Sequence, residues 1–191
     1  MNNWRFKEIV VMAALAVVFG VVYLAFLPLG SLLVGFMGPI GYDFIFGIWF
    51  IVSIIAAYIL QKPGAAFLSE TIAAMIEVLL GNAVGPMLIV TGMVQGIGAE
   101  AVFAATRWKN YSTWVLMAAG MGSSVTSFIY GYFMSGYAAL ATEYVIAMFV
   151  VRLISGALIA GLLGKALSEG LARTGALSSF ALGKQQRKDA A

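Results

Sequence analysis

Residues 9–27, which read IVVMAALAVVFGVVYLAFL, contain no charged side chain. A helix needs about 20 apolar residues to cross the hydrocarbon core of a bilayer. Arg5 and Lys7 precede this segment, as basic residues precede a signal peptide, but the segment is long enough to span a membrane. We therefore expect it to be retained as a membrane-spanning helix at the start of the chain.

Five more apolar segments follow within the 191 residues, at 42–60, 65–80, 84–106, 114–134 and 144–163. The chain is 62% hydrophobic and 10% charged, whereas about 25% of the residues in a soluble domain are charged. This composition predicts an all-α integral membrane protein, a six-transmembrane-helix bundle. Residues 1–175 would form its single membrane domain. Residues 176–191 would form a basic cytoplasmic tail, either frayed or lying on the anionic leaflet.

The segment between the first two predicted spans, residues 29–40, is too short to cross a membrane. It contains Gly30, Gly35, Gly38 and Pro39, and glycine and proline favour irregular backbone. We expect a Gly/Pro-rich first outer loop here, in the form of an interfacial or re-entrant segment or a lid.

Ten of the eleven basic residues fall where a six-span chain with a cytoplasmic N-terminus would place them inside. They are Arg5, Lys7, Lys62, Arg107, Lys109, Lys165, Arg173, Lys184, Arg187 and Lys188. With five or seven spans the basic C-terminal tail would lie outside. The charge pattern therefore predicts six spans with both termini cytoplasmic.

The composition also excludes several kinds of functional site. The chain has no cysteine and no histidine, which excludes disulfides and metal sites built on those residues. The lysines and arginines form no basic face interleaved with aromatic residues, so a nucleic-acid partner is not expected. No nucleotide-binding motif and no catalytic spacing is present. We predict a protein that is not an enzyme, with no cofactor and no bound metal.

Two ionisable residues lie at similar depth near the middle of their predicted spans, Glu70 in the third and Arg152 in the sixth. Charged side chains inside a membrane are normally paired or face a cavity. The economical interpretation is a structural ion pair between Glu70 and Arg152. Glu100, in the fourth span, is an alternative partner for Arg152.

Glu77 follows Glu70 by seven residues, which places both carboxylates on one stripe of the third helix. Glu77 lies closer to the outer surface, near Asp43 and Glu143 at the outer ends of other spans. Together these three would make the outer mouth acidic and suited to a cationic or amine-bearing ligand. Asp43 and Glu143 could instead be ordinary helix N-terminal charges.

Aromatic and amide side chains concentrate in the same outer half. The candidate ligand contacts are Tyr42, Trp49, Tyr137 and Tyr144 for stacking, with Asn82 and Gln95 as hydrogen-bonding amides. The aromatic residues could equally form an interfacial belt or ordinary packing. Ala16 and Gly20 form a small-x-x-x-small pair on the first helix, which favours either packing within the chain or docking of another membrane subunit.

Three features together resemble a known family. They are the helix entry RFKEIV at residues 5–10, the Gly/Pro-rich outer loop, and the block FLSETIAAMIEVLLGN at residues 67–82. The chain is similar to the substrate-binding S components of energy-coupling factor (ECF) vitamin transporters, of the type linked to thiamine and its hydroxymethylpyrimidine precursor.

The resemblance implies a vitamin-capture subunit in a bacterial cell membrane. Such a subunit binds its ligand near the outer surface and works with a transmembrane coupling subunit and cytoplasmic ATPase subunits. The family's Ala-x-x-x-Ala docking motif would correspond here to Ala16 and Gly20. The alternative from the residues alone is a stand-alone, proton-coupled secondary transporter of a small organic cation, with Glu70 or Glu100 as the proton carrier.

Overall fold

The computed structural model describes residues 4–189, and these residues form helices joined by short connections, without a β-strand. The α-helices are α1 (Phe6–Met37), α2 (Ile40–Asp43), α3 (Ile51–Leu60), α4 (Ala65–Leu79), α5 (Met87–Ala105), α6 (Thr113–Met134), α7 (Thr142–Ser155), α8 (Gly164–Arg173) and α9 (Ala181–Asp189). Two 3-10 helices cover Phe46–Phe50 and Tyr137–Ala139, and a π-helical segment, Gly156–Leu163, joins α7 to α8. The fold is therefore all-helical, as the composition predicts.

Three of the helical stretches in residues 4–189 are long and apolar enough to cross a membrane by length and composition. They are Phe6–Met37, Met87–Ala105 and the continuous stretch Thr142–Arg173. A shorter apolar helical stretch covers Phe46–Leu60. Large apolar side chains such as Val18, Phe133 and Ile154 are exposed on the outside of the bundle, as in a protein surrounded by lipid.

The first helix is longer than the sequence predicts. It continues through Pro28 to Met37 and ends at Gly38, whose φ of 74° lies in the left-handed region. The loop expected at residues 29–40 is thus largely wrong, since only the Gly38–Pro39 link is non-helical. Gly30 serves packing rather than a turn, because a Cβ there would lie 2.5 Å from the Tyr42 ring.

The second predicted span, residues 42–60, is not one helix. The chain turns after α2, passes through the 3-10 helix and then enters α3. Gly47 allows the 3-10 helix to pack against α7, because its Cα lies too close to the Ser155 carbonyl to leave room for a side chain. Its N–H also donates to Ser155 Oγ at 3.0 Å. All ten residues of α3 are buried, so this short helix forms the centre of the bundle.

Glu100 provides the hydrogen-bond acceptor for the free backbone N–H groups at the N-terminus of α4. Its carboxylate accepts hydrogen bonds from the backbone N–H groups of Gly64, Ala66 and Phe67 at 2.6–3.3 Å. It also accepts from Trp108 Nε1 at 2.6 Å. A negative charge is favourable at the positive end of a helix dipole. Glu100 therefore has a structural role, and its predicted alternative pairing with Arg152 is wrong.

The small-residue pair on α1 is buried inside the chain. Ala16 has no exposed surface, and a Cβ on Gly20 would lie 2.9 Å from Ile76 and 3.0 Å from the carbonyl oxygen of Ala73. Both contacts belong to α4, so the pair lets α1 approach α4 closely. The structure thus supports packing within the chain for this pair, and docking of another subunit at Ala16 and Gly20 stays a prediction.

The N-terminal and C-terminal segments lie together at one end of the bundle, which we call the termini end. Lys62, in the turn before α4, forms an ion pair with Glu8 at 2.6 Å. Lys7 donates to the Ser179 carbonyl at 3.4 Å. The described part of the predicted tail is ordered, because α9 is helical and the preceding Leu177 and Phe180 are buried. Residues 190 and 191 of that tail lie outside the described residues.

Helices α5 and α6 cross with their backbones in close contact. Gly98 faces the carbonyl of Gly122, and Gly122 faces that of Gly98, so neither position has room for a side chain. The Thr126 hydroxyl donates to the carbonyl of Val94 at 2.8 Å across the same interface. Small residues and hydroxyl groups at a helix crossing are typical of packing inside membranes.

We expect Gly98→Ala to destabilise the protein by about 1–3 kcal/mol, because the added methyl group must push the two helices apart. The matched control is Gly170→Ala, on α8, where a Cβ meets nothing within 4 Å. Alanine there should leave stability unchanged or raise it by up to about 1 kcal/mol through helix propensity. Thermal unfolding of both variants in detergent checks this, and equal melting temperatures would contradict the packing account.

Candidate substrate-binding site

A cavity of about 270 Å³ lies at the end of the bundle opposite the termini end. Its walls come from α1, α2, the 3-10 helix Phe46–Phe50, α4, α5, α6 and α7, together with the connections after α4 and after α6. The volume is at the lower edge of the range for small-molecule sites, about 300–1,000 Å³.

The cavity brings together six of the nine residues predicted to contact ligand. They are Tyr42, Trp49, Glu77, Asn82, Gln95 and Tyr137. Glu70 and Arg152, predicted as a structural ion pair, also line it. The prediction that Glu70 and Glu77 share one stripe of α4 is confirmed by their common position in this wall. Whether these side chains bind ligand stays a prediction.

The Glu77 side chain is held in place by the connection that follows its own helix, α4. It is 3% exposed, and its Oε2 accepts a hydrogen bond from Asn82 Nδ2 at 3.0 Å. Asn82 Oδ1 in turn accepts from the backbone N–H of Val84 at 3.0 Å. The connection after α4 thereby fixes the carboxylate while leaving its other oxygen for a ligand donor.

Glu70 lies deeper and is 1% exposed. Its Oε2 accepts a hydrogen bond from the Tyr23 hydroxyl at 3.2 Å, and that hydroxyl accepts from the Val52 N–H at 3.1 Å. This chain of contacts joins α4, α1 and α3. Sequence reasoning missed Tyr23, although a lone tyrosine in the middle of an apolar span needs a partner for its hydroxyl.

Arg152 pairs with Asp43, not with Glu70. Its Nε and Nη2 both lie 2.6 Å from Asp43 Oδ1, and the two side chains are 2% and 0% exposed. The predicted Glu70–Arg152 ion pair is therefore wrong. Its premise, that a buried charge needs a partner, still applies, since Tyr23 serves Glu70 and Asp43 serves Arg152.

Aromatic rings surround the Arg152 guanidinium. Its Cζ lies 3.7 Å from the centre of the Phe46 ring and 5.0 Å from that of Phe128. Its Nη2 also donates to the Tyr137 hydroxyl at 3.0 Å. Arg152 thus holds the 3-10 helix Tyr137–Ala139 over the cavity. The position of Phe46 beside this charge was not predicted.

Three predicted contacts lie outside the cavity lining. Asp43 is buried behind Arg152, and Glu143 is exposed in the first turn of α7. The Tyr144 hydroxyl accepts from the N–H of Ile40 at 3.0 Å and donates to the Met37 carbonyl at 3.4 Å. Asp43 and Tyr144 support the cavity or its rim through these contacts, and the structure places none of the three residues in the cavity wall.

Two cavity-lining side chains carry buried polar atoms without a hydrogen-bond partner in the described part of the chain, Trp49 Nε1 and the Tyr130 hydroxyl. Trp49 also stacks on Tyr42, with ring centres 4.5 Å apart and planes at 16°. Buried polar groups without partners are rare in proteins. The wall therefore combines two carboxylates, one neutralised guanidinium, a planar aromatic pair and spare hydrogen-bonding groups, which suits a flat ligand bearing amino groups or a positive charge.

An all-helical membrane protein with a polar, partly enclosed cavity near one end has the architecture expected of a small-molecule-binding membrane subunit. The family model described as "ABC-type cobalt transport system, permease component" matches residues 7–126. A protein of Bacillus subtilis (strain 168) named HMP/thiamine permease protein YkoE is 63% identical over 188 residues, covering 98% of this chain and 94% of that protein.

A crystal structure of an S component of an ECF transporter superposes with a TM-score of 0.96. It is 62% identical and covers 98% of this chain and 95% of the other. The chain therefore belongs to the family of ECF transporter S components, which are substrate-binding subunits.

Removing one partner of the buried ion pair should be strongly destabilising. We expect Asp43→Asn to lower the free energy of unfolding by about 3–5 kcal/mol, because Arg152 would keep its buried charge without an anion. The matched control is Glu143→Gln, which removes an exposed carboxylate at the same end of the bundle. Unfolding of both variants in detergent measures the difference, and a stable Asp43→Asn protein would contradict the assigned pairing.

Proposed function

We propose that this protein captures thiamine, its hydroxymethylpyrimidine precursor, or both, at the outer face of a bacterial cell membrane, for ATP-driven uptake by partner subunits. The observation that carries the proposal is the joint placement of Glu77, Glu70 and the stacked Tyr42–Trp49 pair in one cavity. The name of the Bacillus subtilis relative supports the choice of ligand.

The ligand's chemistry fits the cavity wall. Thiamine carries an aminopyrimidine ring and a cationic thiazolium ring. The free oxygen of Glu77 can accept a hydrogen bond from the amino group, while the aromatic pair covers a ring. Among the described residues in and directly behind the cavity wall, the carboxylates of Glu70, Glu77 and Asp43 outnumber the one cation, Arg152, which favours a positive ligand. Hydroxymethylpyrimidine keeps the pyrimidine contacts and lacks the cation.

The proposed topology has six membrane crossings and both termini in the cytoplasm. The crossings are α1, the stretch Phe46–Leu60, α4, α5, α6 and the stretch Thr142–Arg173. The distribution of basic residues supports this orientation, because ten of the eleven fall on the side of the termini end and the eleventh, Arg152, is neutralised by Asp43. The cavity then faces outside, where the ligand arrives.

A transmembrane coupling subunit and cytoplasmic ATPase subunits complete the proposed transporter, and ATP hydrolysis takes place there. Membership of the S-component family supports these partners. The chain itself contributes binding and no catalysis. Its exposed apolar side chains, such as Val18 and Ile154, contact lipid or the coupling subunit.

We expect the purified chain to bind thiamine, and Glu77→Gln to weaken that binding about tenfold or more, since a charge-assisted hydrogen bond is lost. Tryptophan fluorescence reports binding, because Trp49 lines the cavity. Glu143→Gln, outside the cavity, is the control with the same chemical change. Unchanged affinity in Glu77→Gln would remove this carboxylate from the ligand contacts.

The same titration tests the ligand class. Hydroxymethylpyrimidine and Co²⁺ serve as comparators, the latter because the matching family model is described by cobalt transport. The cobalt ion prefers nitrogen and sulfur donors more than these carboxylates, and the chain has no histidine or cysteine. Binding of Co²⁺ without binding of either organic ligand would overturn the proposal.

A proton-coupled secondary transporter is the second candidate function, because Glu70 is a buried carboxyl in the cavity wall that forms no ion pair with a described residue. Its other proposed carrier, Glu100, is occupied at the α4 N-terminus. We expect thiamine uptake by cells to require the ATPase partners and to survive brief collapse of the proton gradient. Uptake that persists without the ATPases and stops with the gradient would select the secondary transporter.

A further inference from the structure

A second polar pocket, of about 460 Å³, lies at the termini end. Its walls come from the connection before α6, the first residue of α6, the end of α3, and α8 and α9. Lys109 and Lys165 line it, and its described lining includes no acidic residue. We propose that this pocket binds a phosphate group, supplied by an anionic lipid headgroup or by a small phosphorylated molecule.

Hydrogen-bond donors dominate the wall of this pocket. Gln61 and Gln185 contribute side-chain amides, with Gln61 Nε2 donating to Gln185 Oε1 at 3.4 Å. Ser112 lines the pocket as the N-cap residue of α6, yet its side chain caps no backbone N–H. The Tyr111 hydroxyl, also in the lining, is buried and has no partner among the described residues. Phosphate oxygens accept several such bonds at once.

The side chains that line the pocket carry a net positive charge, from Lys109 and Lys165. Lys165 forms an ion pair with Glu169 at 2.7 Å, and the Tyr58 hydroxyl donates to the same carboxylate at 3.1 Å. Lys109 takes part in none of the ion pairs between described residues. A lysine ammonium has three N–H donors, so Lys165 can contact Glu169 and a phosphate together. The Glu100 carboxylate lies near Tyr111 outside the lining, and it already accepts from Trp108 and from the N-terminus of α4.

The surroundings of the pocket suit a lipid headgroup as the source of the phosphate. Trp114 follows the pocket-lining Thr113 and is 78% exposed on the outside of the bundle. Exposed tryptophan is enriched at the level of lipid headgroups. A phosphate bound here would connect α3, α6, α8 and α9, and so would hold the C-terminal helix to the bundle.

The test uses the purified full-length chain in a zwitterionic detergent. Binding is measured by isothermal titration calorimetry, and the melting temperature by thermal unfolding. Both are measured with short-chain phosphatidylglycerol, with phosphatidylcholine of the same chain length, and with inorganic phosphate. We expect phosphatidylglycerol to bind and to raise the melting temperature, and Lys109→Gln to weaken its binding about tenfold. Lys109→Arg should retain binding, because it keeps the charge.

The matched control is Lys184→Gln, on α9, which removes an exposed lysine at the same end of the bundle but outside the pocket lining. Phosphatidylglycerol binding without phosphate binding supports a headgroup site, and binding of both supports a general phosphate site. The proposal is overturned if neither binds, or if Lys109→Gln and Lys184→Gln weaken binding equally. Because the assay uses no vitamin, its result is independent of the proposed transport function.

Discussion

The ion pair between Arg152 and Asp43 is the interaction on which the cavity end of the molecule depends. An arginine in the middle of a membrane-embedded helix is tolerable only when an anion neutralises it and its remaining N–H groups find acceptors. Asp43 supplies the anion, the Tyr137 hydroxyl accepts another N–H, and Phe46 covers the guanidinium face. One charge thereby brings together α2, the following 3-10 helix, α7 and the connection before α7.

The same requirement explains three other carboxylates, of which Glu8 and Glu70 are buried and Glu100 is half-buried. Glu8 meets Lys62, Glu70 meets Tyr23, and Glu100 meets the free N–H groups of α4. Each partner comes from a different element of the fold, so these contacts specify how the helices are placed relative to one another. Glu77 differs, because its partner Asn82 lies only five residues away and satisfies one oxygen. It is therefore the carboxylate best placed to meet a ligand.

Apolar segments and charge positions predicted much of this structure. Residues 65–80 and 114–134 correspond closely to α4 and α6, and the seven-residue spacing correctly placed Glu70 and Glu77 on one face. The partner of Arg152 could not be predicted, because depth along a helix says nothing about the direction in which a side chain points. Gly30 led to the wrong prediction of a loop, since glycine is common both in loops and where helices pack closely. Only the position of the Tyr42 ring shows that Gly30 serves packing.

Helix α1 and the stretch Thr142–Arg173 each contain 32 residues, and at about 1.5 Å per residue each is about 48 Å long. The hydrocarbon core of a bilayer is only about 30 Å thick. The central helix α3, with ten buried residues, reaches about 15 Å. The thickness of the bilayer therefore constrains α1 and the stretch Thr142–Arg173, which must tilt or project into the headgroup layers. It places no such constraint on the short central helix α3. A change in membrane thickness would thus be met by reorienting the whole bundle, with the packing around α3 left intact.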